Sequence, residues 1–259
     1  MNIFKLNADL TTINNGEIEQ NSYEQMLFVR LMKDNKQSAV VYNKELKMYF
    51  EDTKAFCFYF EIEIRDIILK LSKRLGKSKE FNRKLFYRYD WLQIKANSKG
   101  QVVSIGNKEE IEKNWQKLKS RLKMSHKGDY VDKYLDRVDL EFSHEIYPVI
   151  NQYFQFGLLF PNIPVSHTDI WTGKRIIEFS PYEQEKFEEH IKIDCIENNK
   201  VRYHIEGKTL SDSKTEILNY SGNALKLKNE IFPQKISINT SINKDEIVSQ
   251  WNFKLQQIK

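Results

Sequence analysis

The chain has 259 residues, 40% of them hydrophobic, with a mean hydropathy of −0.62, so it is long enough for a large core and polar enough for a hydrated surface. Lys and Arg number 41 against 36 acidic residues, a net charge of +5. Acidic and basic residues alternate in stretches such as 107–123, which is typical of a mixed-charge surface and gives no reason to expect a nucleic-acid partner. No run is long and apolar enough for a transmembrane segment, and the start has no signal-peptide pattern. We therefore expect a cytoplasmic protein, or a periplasmic one if a leader has been removed.

The first hundred residues favour strands. Short β-prone runs occupy 25–32, 38–42 and 46–50, with polar turns between them. In 55–71 the aromatic and aliphatic residues alternate at first, which predicts a strand, and the spacing after Asp66 predicts that a helix begins there.

A hairpin is predicted over 90–107. Placing the apolar residues of its two strands on one face requires Ile94 opposite Val103 and Leu92 opposite Ile105, with the turn at 97–100.

The middle of the chain is predicted to be helical. Asn107 and Glu110 have the spacing of a capping box, and an apolar stripe follows at three- and four-residue intervals. A second stripe starts after Asp129, and a third runs from Ile146 to a stop at Gly157. The first two stripes consist of Ile111, Trp115, Leu118 and Leu122, and of Val131, Tyr134, Leu135 and Val138.

One stretch, YPVINQYFQFGLLFPNIP at 147–164, contains neither an acid nor a base, although 30% of the chain is charged. Pro161 and Pro164 prevent a helix from continuing through its second half. Its aromatic and aliphatic residues beyond the helical stripe need a second surface to cover them. We predict that this stretch is core, the wall of a pocket, or an exposed docking strip.

The last eighty residues return to strands. A hairpin is predicted with Ile193 facing Tyr203, Asp194 facing Arg202, and a loop at 197–199. Another hairpin is predicted around 221–223, followed by two strands that end with the alternation of Trp251, Phe253 and Leu255.

Candidate catalytic and metal-binding groups are sparse. His190, Asp194, His204 and Glu206 fall near one another in the predicted hairpin, but no pair has the spacing of a zinc motif. Paired acids occur at 61/63, 109/110 and 188/189, and no P-loop or nucleophile elbow is present. The two cysteines, at positions 57 and 195, lack metal-ligand spacing, and whether they pair stays open. We predict no cofactor, no metal site and no enzymatic activity, with a hydrolase built on the two histidines and the aspartate as a remote alternative.

The hairpin-into-helix stretch NSKGQVVSIGNKEEIEKNW at 97–115 and the terminal strand QWNFKLQQI at 250–258 resemble the LolA-like lipoprotein carriers. The likeness covers the whole chain loosely and includes no specific motif. It implies a curved antiparallel half-barrel around helices, with acyl chains held inside. Members of that family are exported, and this chain shows no export signal.

These patterns together predict an α+β fold, in which a curved antiparallel sheet of about ten strands is packed on two or three central helices. We expect one domain over 1–259, with strands mainly in 1–106 and 165–259 and a helical block at 107–157. The expected function is non-enzymatic binding of a hydrophobic or lipid-like ligand between sheet and helices. The alternative is a protein-interaction module, such as an immunity protein, adaptor or secretion chaperone, that docks a protein partner through the apolar strip at 153–164. The predicted pocket wall consists of Trp115, Tyr153, Phe154, Phe156, Leu159 and Phe160.

Overall fold

Among the residues described by the computed structural model, eleven strands form a single curved antiparallel sheet, and three α-helices accompany it. The structure describes residues 1–32, 57–73, 78–144, 146–166, 168–179, 186–210 and 215–258. The strands predicted at 38–42 and 46–50 lie outside these residues. In chain order the elements are β1 (Asn2–Asn14), β2 (Glu17–Met32), β3 (Cys57–Lys70), α1 (Lys79–Phe86), β4 (Trp91–Asn97), β5 (Val102–Ile105), α2 (Lys108–Ser125), α3 (Asp129–Phe142), β6 (Thr172–Glu178), β7 (Lys186–Glu197), β8 (Lys200–Thr209), β9 (Glu216–Leu227), β10 (Lys235–Lys244) and β11 (Ile247–Ile258).

The strand order is β5-β4-β3-β2-β1-β11-β10-β9-β8-β7-β6, so the first and last strands of the chain pair with each other in the interior of the sheet. Every other pair of neighbouring strands is consecutive in the described sequence, and each is antiparallel. The prediction of an antiparallel sheet of about ten strands with accompanying helices is confirmed at this level.

A bulge explains why the helix predicted from Asp66 is wrong. Strand β3 continues through this position to Lys70, and the register with β2 shifts by one residue at Arg65. The extra residue separates the buried Ile64 from the buried Ile67 by three positions, which interrupts the alternation at the point where the helix was predicted to begin. Alternation resumes beyond the bulge, so the whole segment is one strand.

Two predicted hairpins differ from the structure. Ile94 pairs with Ile105 rather than Val103, because the turn takes in residue 101 and a register shift follows Lys95. Residues 221–223 lie in the middle of β9, so no turn occurs there. Serine, glycine and asparagine in that stretch are short residues of a continuous strand and not turn formers.

The β7–β8 hairpin confirms that Ile193 faces Tyr203, but the pairing of Asp194 with Arg202 is wrong. A register shift between Ile193 and Cys195 places the cysteine opposite Arg202. The bulge absorbs one residue, so the connection shortens to two asparagines, the first with φ of 53°. Both cysteines are free.

The helices predicted after Asn107 and near Asp129 are confirmed as α2 and α3. The capping box is wrong, because the side chain of Asn107 makes no cap bond; it accepts from the Gln93 amide at 2.8 Å and donates to the Trp91 carbonyl at 3.0 Å. The third predicted helix is wrong as well: residues 148–151 form a 3-10 turn, and irregular turns follow.

The apolar residues form two clusters. The larger contains the inward side chains of the sheet together with most of 147–163, and the smaller joins the three helices. A buried ion pair between Arg88 and Glu141, 2.9 Å apart, links the turn after α1 to α3, and the Tyr89 hydroxyl donates to the same carboxylate at 2.8 Å. The smaller cluster consists of Phe81, Leu85, Trp115, Leu122, Val131, Tyr134, Leu135 and Val138.

Candidate functional site

The uncharged stretch at 147–164 is buried throughout most of its length. Tyr153 and Phe156 have no exposed surface, and Leu159 and Phe160 are 1% and 2% exposed. The stretch lies in the main core cluster with the inward side chains of the sheet. An exposed docking strip at 153–164 would need these side chains to be accessible, and in this structure they are not.

Hydrogen bonds to the sheet replace the predicted helix in this stretch. The backbone amides of Tyr153 and Phe154 donate to the carbonyls of Glu178 and Phe179, at the end of β6. These amides are thereby unavailable for helical bonds to earlier carbonyls. Gly157 then lies against the backbone of Gln152, where a Cβ atom would be 2.9 Å from it. The chain therefore turns tightly and enters the core instead of extending as a helix.

The structure brings together five of the six residues predicted to line a pocket. Phe154 contacts Trp251 and Phe253 edge-on at 5.3 and 5.6 Å, and Phe160 contacts Phe232 at 5.6 Å. Trp115 is the exception: it lies in the helical cluster, where its Nε1 donates to Asp139 at 2.7 Å. The five that share the main cluster are Tyr153, Phe154, Phe156, Leu159 and Phe160.

A buried network of polar side chains, which sequence reasoning missed, lies beneath this stretch. Arg175 on β6 donates to Glu189 on β7 at 2.5 Å, and both residues are at most 5% exposed. The second carboxylate oxygen of Glu189 accepts from the Tyr220 hydroxyl at 2.7 Å. Arg175 also donates to the carbonyls of Gly157 and Phe160, at 2.6 and 2.9 Å. One guanidinium therefore holds the irregular stretch against the sheet.

Gly207 makes this network sterically feasible. It lies between Glu189 on β7 and the Tyr220 side of β9, and a Cβ atom there would be 2.3 Å from the Tyr220 ring. The missing side chain lets the ring cross β8 and reach the carboxylate. The Tyr220 hydroxyl also lies 3.0 Å from that of Tyr153, which extends the network into the buried stretch.

Burial perturbs both charged members of the network. It raises the pKa of Glu189 to about 8, against the opposing effect of the Tyr220 hydrogen bond. It lowers the pKa of Arg175 to about 10. Perturbed groups of this kind also occur at functional sites. Here both are enclosed by the core, so their contacts show them fixing the position of the 157–160 backbone.

Lys226 is a second buried cation on the inner side of the sheet. Its Nζ donates to the Pro164 carbonyl at 2.6 Å, and the residue is 1% exposed. Burial lowers its pKa to about 8, although the charge of Glu230 opposes the shift. The lysine thus holds the end of the buried stretch as Arg175 holds its middle.

We expect this lysine to make the stability depend on pH. Between pH 8 and the ordinary lysine pKa of 10.5, the folded protein loses the proton while the unfolded chain keeps it. Stability attributable to Lys226 therefore rises with pH across this window and is lost as pH falls through 8. Relative to Lys226→Met, the wild-type free energy of unfolding should gain up to about 1.4 kcal/mol per pH unit. Urea denaturation of both proteins at pH 7, 8, 9 and 10 tests this. If the free energies of unfolding of wild type and Lys226→Met changed equally with pH, the prediction would be refuted.

An open groove of about 550 Å³ crosses the outer face of β7 to β10. Its form follows from the register: the outward residues Ser221 and Asn223 on β9 are short, and so are their neighbours Asn239 and Ser237 on β10. The longer side chains of Glu206 and His204 lie beside them on β8. Arg202 and Lys235 are both exposed, and neither has a side-chain hydrogen bond or ion pair within the part of the chain that the structure describes. The groove is lined by Asp194, Arg202, His204, Ser221, Gly222, Asn223, Ala224, Leu225, Lys235 and Asn239.

The histidine and carboxylate candidates belong to local surface pairs. His190 contacts Glu188 at 2.6 Å, and His204 contacts Glu206 at 2.9 Å. Their acids have pKa values lowered chiefly by hydrogen bonds, from His190 for Glu188 and from Lys192 for Glu206. Among the described residues, no three His, Cys, Asp or Glu side chains are grouped so as to hold a metal ion. Of the other paired acids, Glu61 and Glu63 form ion pairs with Arg30 and Arg65.

No protein-family model matches this chain, and no curated protein has a matching sequence. Within the described ranges, none of the helices is long and apolar enough to cross a membrane. The functional proposal therefore depends on the geometry of the chain itself.

Proposed function

We propose that this protein is a non-enzymatic binding protein that takes a polar, acid-bearing ligand in the groove across β7 to β10. The observation that supports this most directly is that Arg202 and Lys235, which have no side-chain partner in the described ranges, lie beside a groove of about 550 Å³. That size falls in the range of small-ligand sites. Guanidinium and ammonium groups without protein partners favour carboxylate or phosphate oxygens.

The floor and walls of the groove suit such a ligand. Asn223 and Asn239 each offer an amide that can donate to a ligand oxygen, and Ser221 offers a hydroxyl. Asp194 in the same lining can accept from a hydroxyl or amine on the ligand. In this proposal the helices brace the sheet from the side of the core, to which α1 and α2 contribute Phe86 and Ile111.

A screen of small carboxylates, phosphates and their neutral analogues by ligand-detected NMR tests the groove. We expect acid-bearing compounds to bind, and the double variant Arg202→Ala/Lys235→Ala to weaken them about tenfold or more, the equivalent of about 1.4 kcal/mol. The matched control is Lys200→Ala/Lys208→Ala, which removes the same charge from β8 outside the groove lining. Equal binding of neutral analogues, or unchanged affinity in the groove variant, would refute the proposal.

The lipid-like ligand remains the second candidate, because the interior around 153–160 is apolar and contains polar atoms that a lipid headgroup could bond. Both amide atoms of Gln155, Nη2 of Arg175 and Nε1 of Trp251 are buried and have no hydrogen-bond partner among the described residues. A ligand there would have to displace part of the 153–160 stretch, which fills the space now. Native mass spectrometry followed by solvent extraction discriminates between the candidates. A bound mass that yields a fatty acid or phospholipid would favour the interior, and an apo mass with acid binding in solution would favour the groove.

A further inference from the structure

Positive charge is concentrated in the second part of α2 and the turn that follows it. The acids of 107–123 all lie before position 113, so the alternation expected for this stretch does not extend through it. Six basic residues and no acidic residue lie between positions 113 and 127, which cover most of α2 and the turn after it. The whole chain carries a net charge of only +5, so the rest of the sequence is close to neutral. Such a concentration produces a local positive potential that an even distribution would not.

Two of the six cations are paired with α3. Lys119 forms an ion pair with Asp139, and Lys123 lies 4.0 Å from Asp132. The other four have no side-chain partner in the described ranges and are exposed: Lys113, Lys117, Arg121 and Lys127.

The unpaired cations on α2 share one side of the helix. Lys113, Lys117 and Arg121 are four residues apart, so they form a stripe about 12 Å long. The stripe faces away from Ile111 and Trp115, which are buried. No neighbouring element of the described fold covers it.

Two large exposed side chains, one apolar and one aromatic, follow this stripe closely in sequence. Met124 follows Arg121 by three residues and is 75% exposed, and Tyr130, at the start of α3, is 58% exposed. An apolar and an amphipathic aromatic side chain beside a row of cations is the combination that binds the headgroup region of an anionic bilayer. Asp129 lies at the same turn and reduces the local charge by one.

We propose that the α2–α3 end of the molecule docks on an anionic phospholipid surface. The four unpaired cations would contact headgroup phosphates and carboxylates, and Met124 and Tyr130 would enter the interfacial layer. A nucleic acid or an acidic protein would satisfy the cations as well, but neither accounts for a methionine that is three-quarters exposed at the end of the row. This inference does not depend on the groove, which is formed by strands β7 to β10.

Co-sedimentation with vesicles of phosphatidylcholine containing about 30 mol % phosphatidylserine tests the proposal. We expect binding that is absent with pure phosphatidylcholine and decreases with added salt. Lys117→Ala/Arg121→Ala should bind about 30-fold more weakly, since each basic residue contributes about 1 kcal/mol, or about fivefold in affinity. Met124→Ser/Tyr130→Ser should weaken the binding that persists at high salt. Lys200→Ala/Lys208→Ala, which removes equal charge from β8, should bind as wild type does.

Equal binding to both vesicle types, or retained binding in the α2 variant, would overturn the proposal. Binding of duplex DNA or polyglutamate that depends on Lys117 and Arg121, without binding to vesicles, would also overturn it and assign the stripe to a soluble polyanion. Circular dichroism of each variant verifies folding, which should persist because all four substituted side chains are exposed. Loss of acid binding in the groove variants would leave vesicle binding unchanged.

Discussion

Arg175→Met is expected to destabilise the protein by about 3–5 kcal/mol, because it breaks the buried pair and leaves the Glu189 carboxyl group without its partner. It also removes the donor to the carbonyls of Gly157 and Phe160. Urea denaturation monitored by tryptophan fluorescence measures the change in the free energy of unfolding.

The neighbouring residue provides a matched control for this substitution. Lys174 lies on the same strand and pairs with Glu188 at the surface, so Lys174→Met should change the stability by less than about 0.5 kcal/mol. Replacing both buried charges, as in Arg175→Met/Glu189→Leu, should recover part of the loss, since no charge then remains unpaired but the Gly157 and Phe160 carbonyls still lack their donor. An Arg175 variant as stable as wild type would show that the network does not hold the buried stretch.

Phe156→Ala is expected to have a comparable effect, a loss of about 3–5 kcal/mol, because the ring is completely buried in the main cluster. Ile170→Ala is the control: the isoleucine is 87% exposed, and its truncation should cost less than about 0.5 kcal/mol. Thermal and urea denaturation of wild type, Phe156→Ala and Ile170→Ala measures the two changes in stability. A Phe156 variant with unchanged stability would mean that the stretch does not belong to the core.

Sequence reasoning succeeded where the hydrophobic period is regular. The stripes that begin at Ile111 and Val131 are helices, and the alternation ending at Leu255 is a strand. It failed where one extra residue breaks the period, as at Arg65 and Asp194. A bulge changes the phase without changing the composition, so a strand containing one resembles a helix or a different register.

The 147–164 stretch shows a different limit. Its composition predicts burial, and burial is what the structure shows. Its backbone conformation depends on hydrogen bonds to Glu178 and Phe179, whose carbonyls lie on an element about 25 residues away in sequence. Local spacing contains no information about such partners, so the helix predicted there was wrong.

One feature of the sequence indicates the buried network. Glu189 is two residues from the buried Phe187 and Ile191, so it lies on the same face of its strand. Arg175 lies on the same face as the buried Ile177 for the same reason. A charge at an inward position of a strand requires a partner of opposite charge. Which charges meet depends on the pairing of β6 with β7, and the outer groove depends on four aligned strands. Neither can be derived until the register is known.

Hydrogen exchange at residues 153–160 tests the central claim most directly, namely that the chain fills its own interior and binds ligands outside. The structure predicts that the Tyr153, Phe154 and Gly157 amides, which donate to backbone carbonyls, exchange as slowly as the strands of the main core. Exchange within seconds, at the rate of an exposed loop, would contradict the claim and return the interior to consideration as the ligand site.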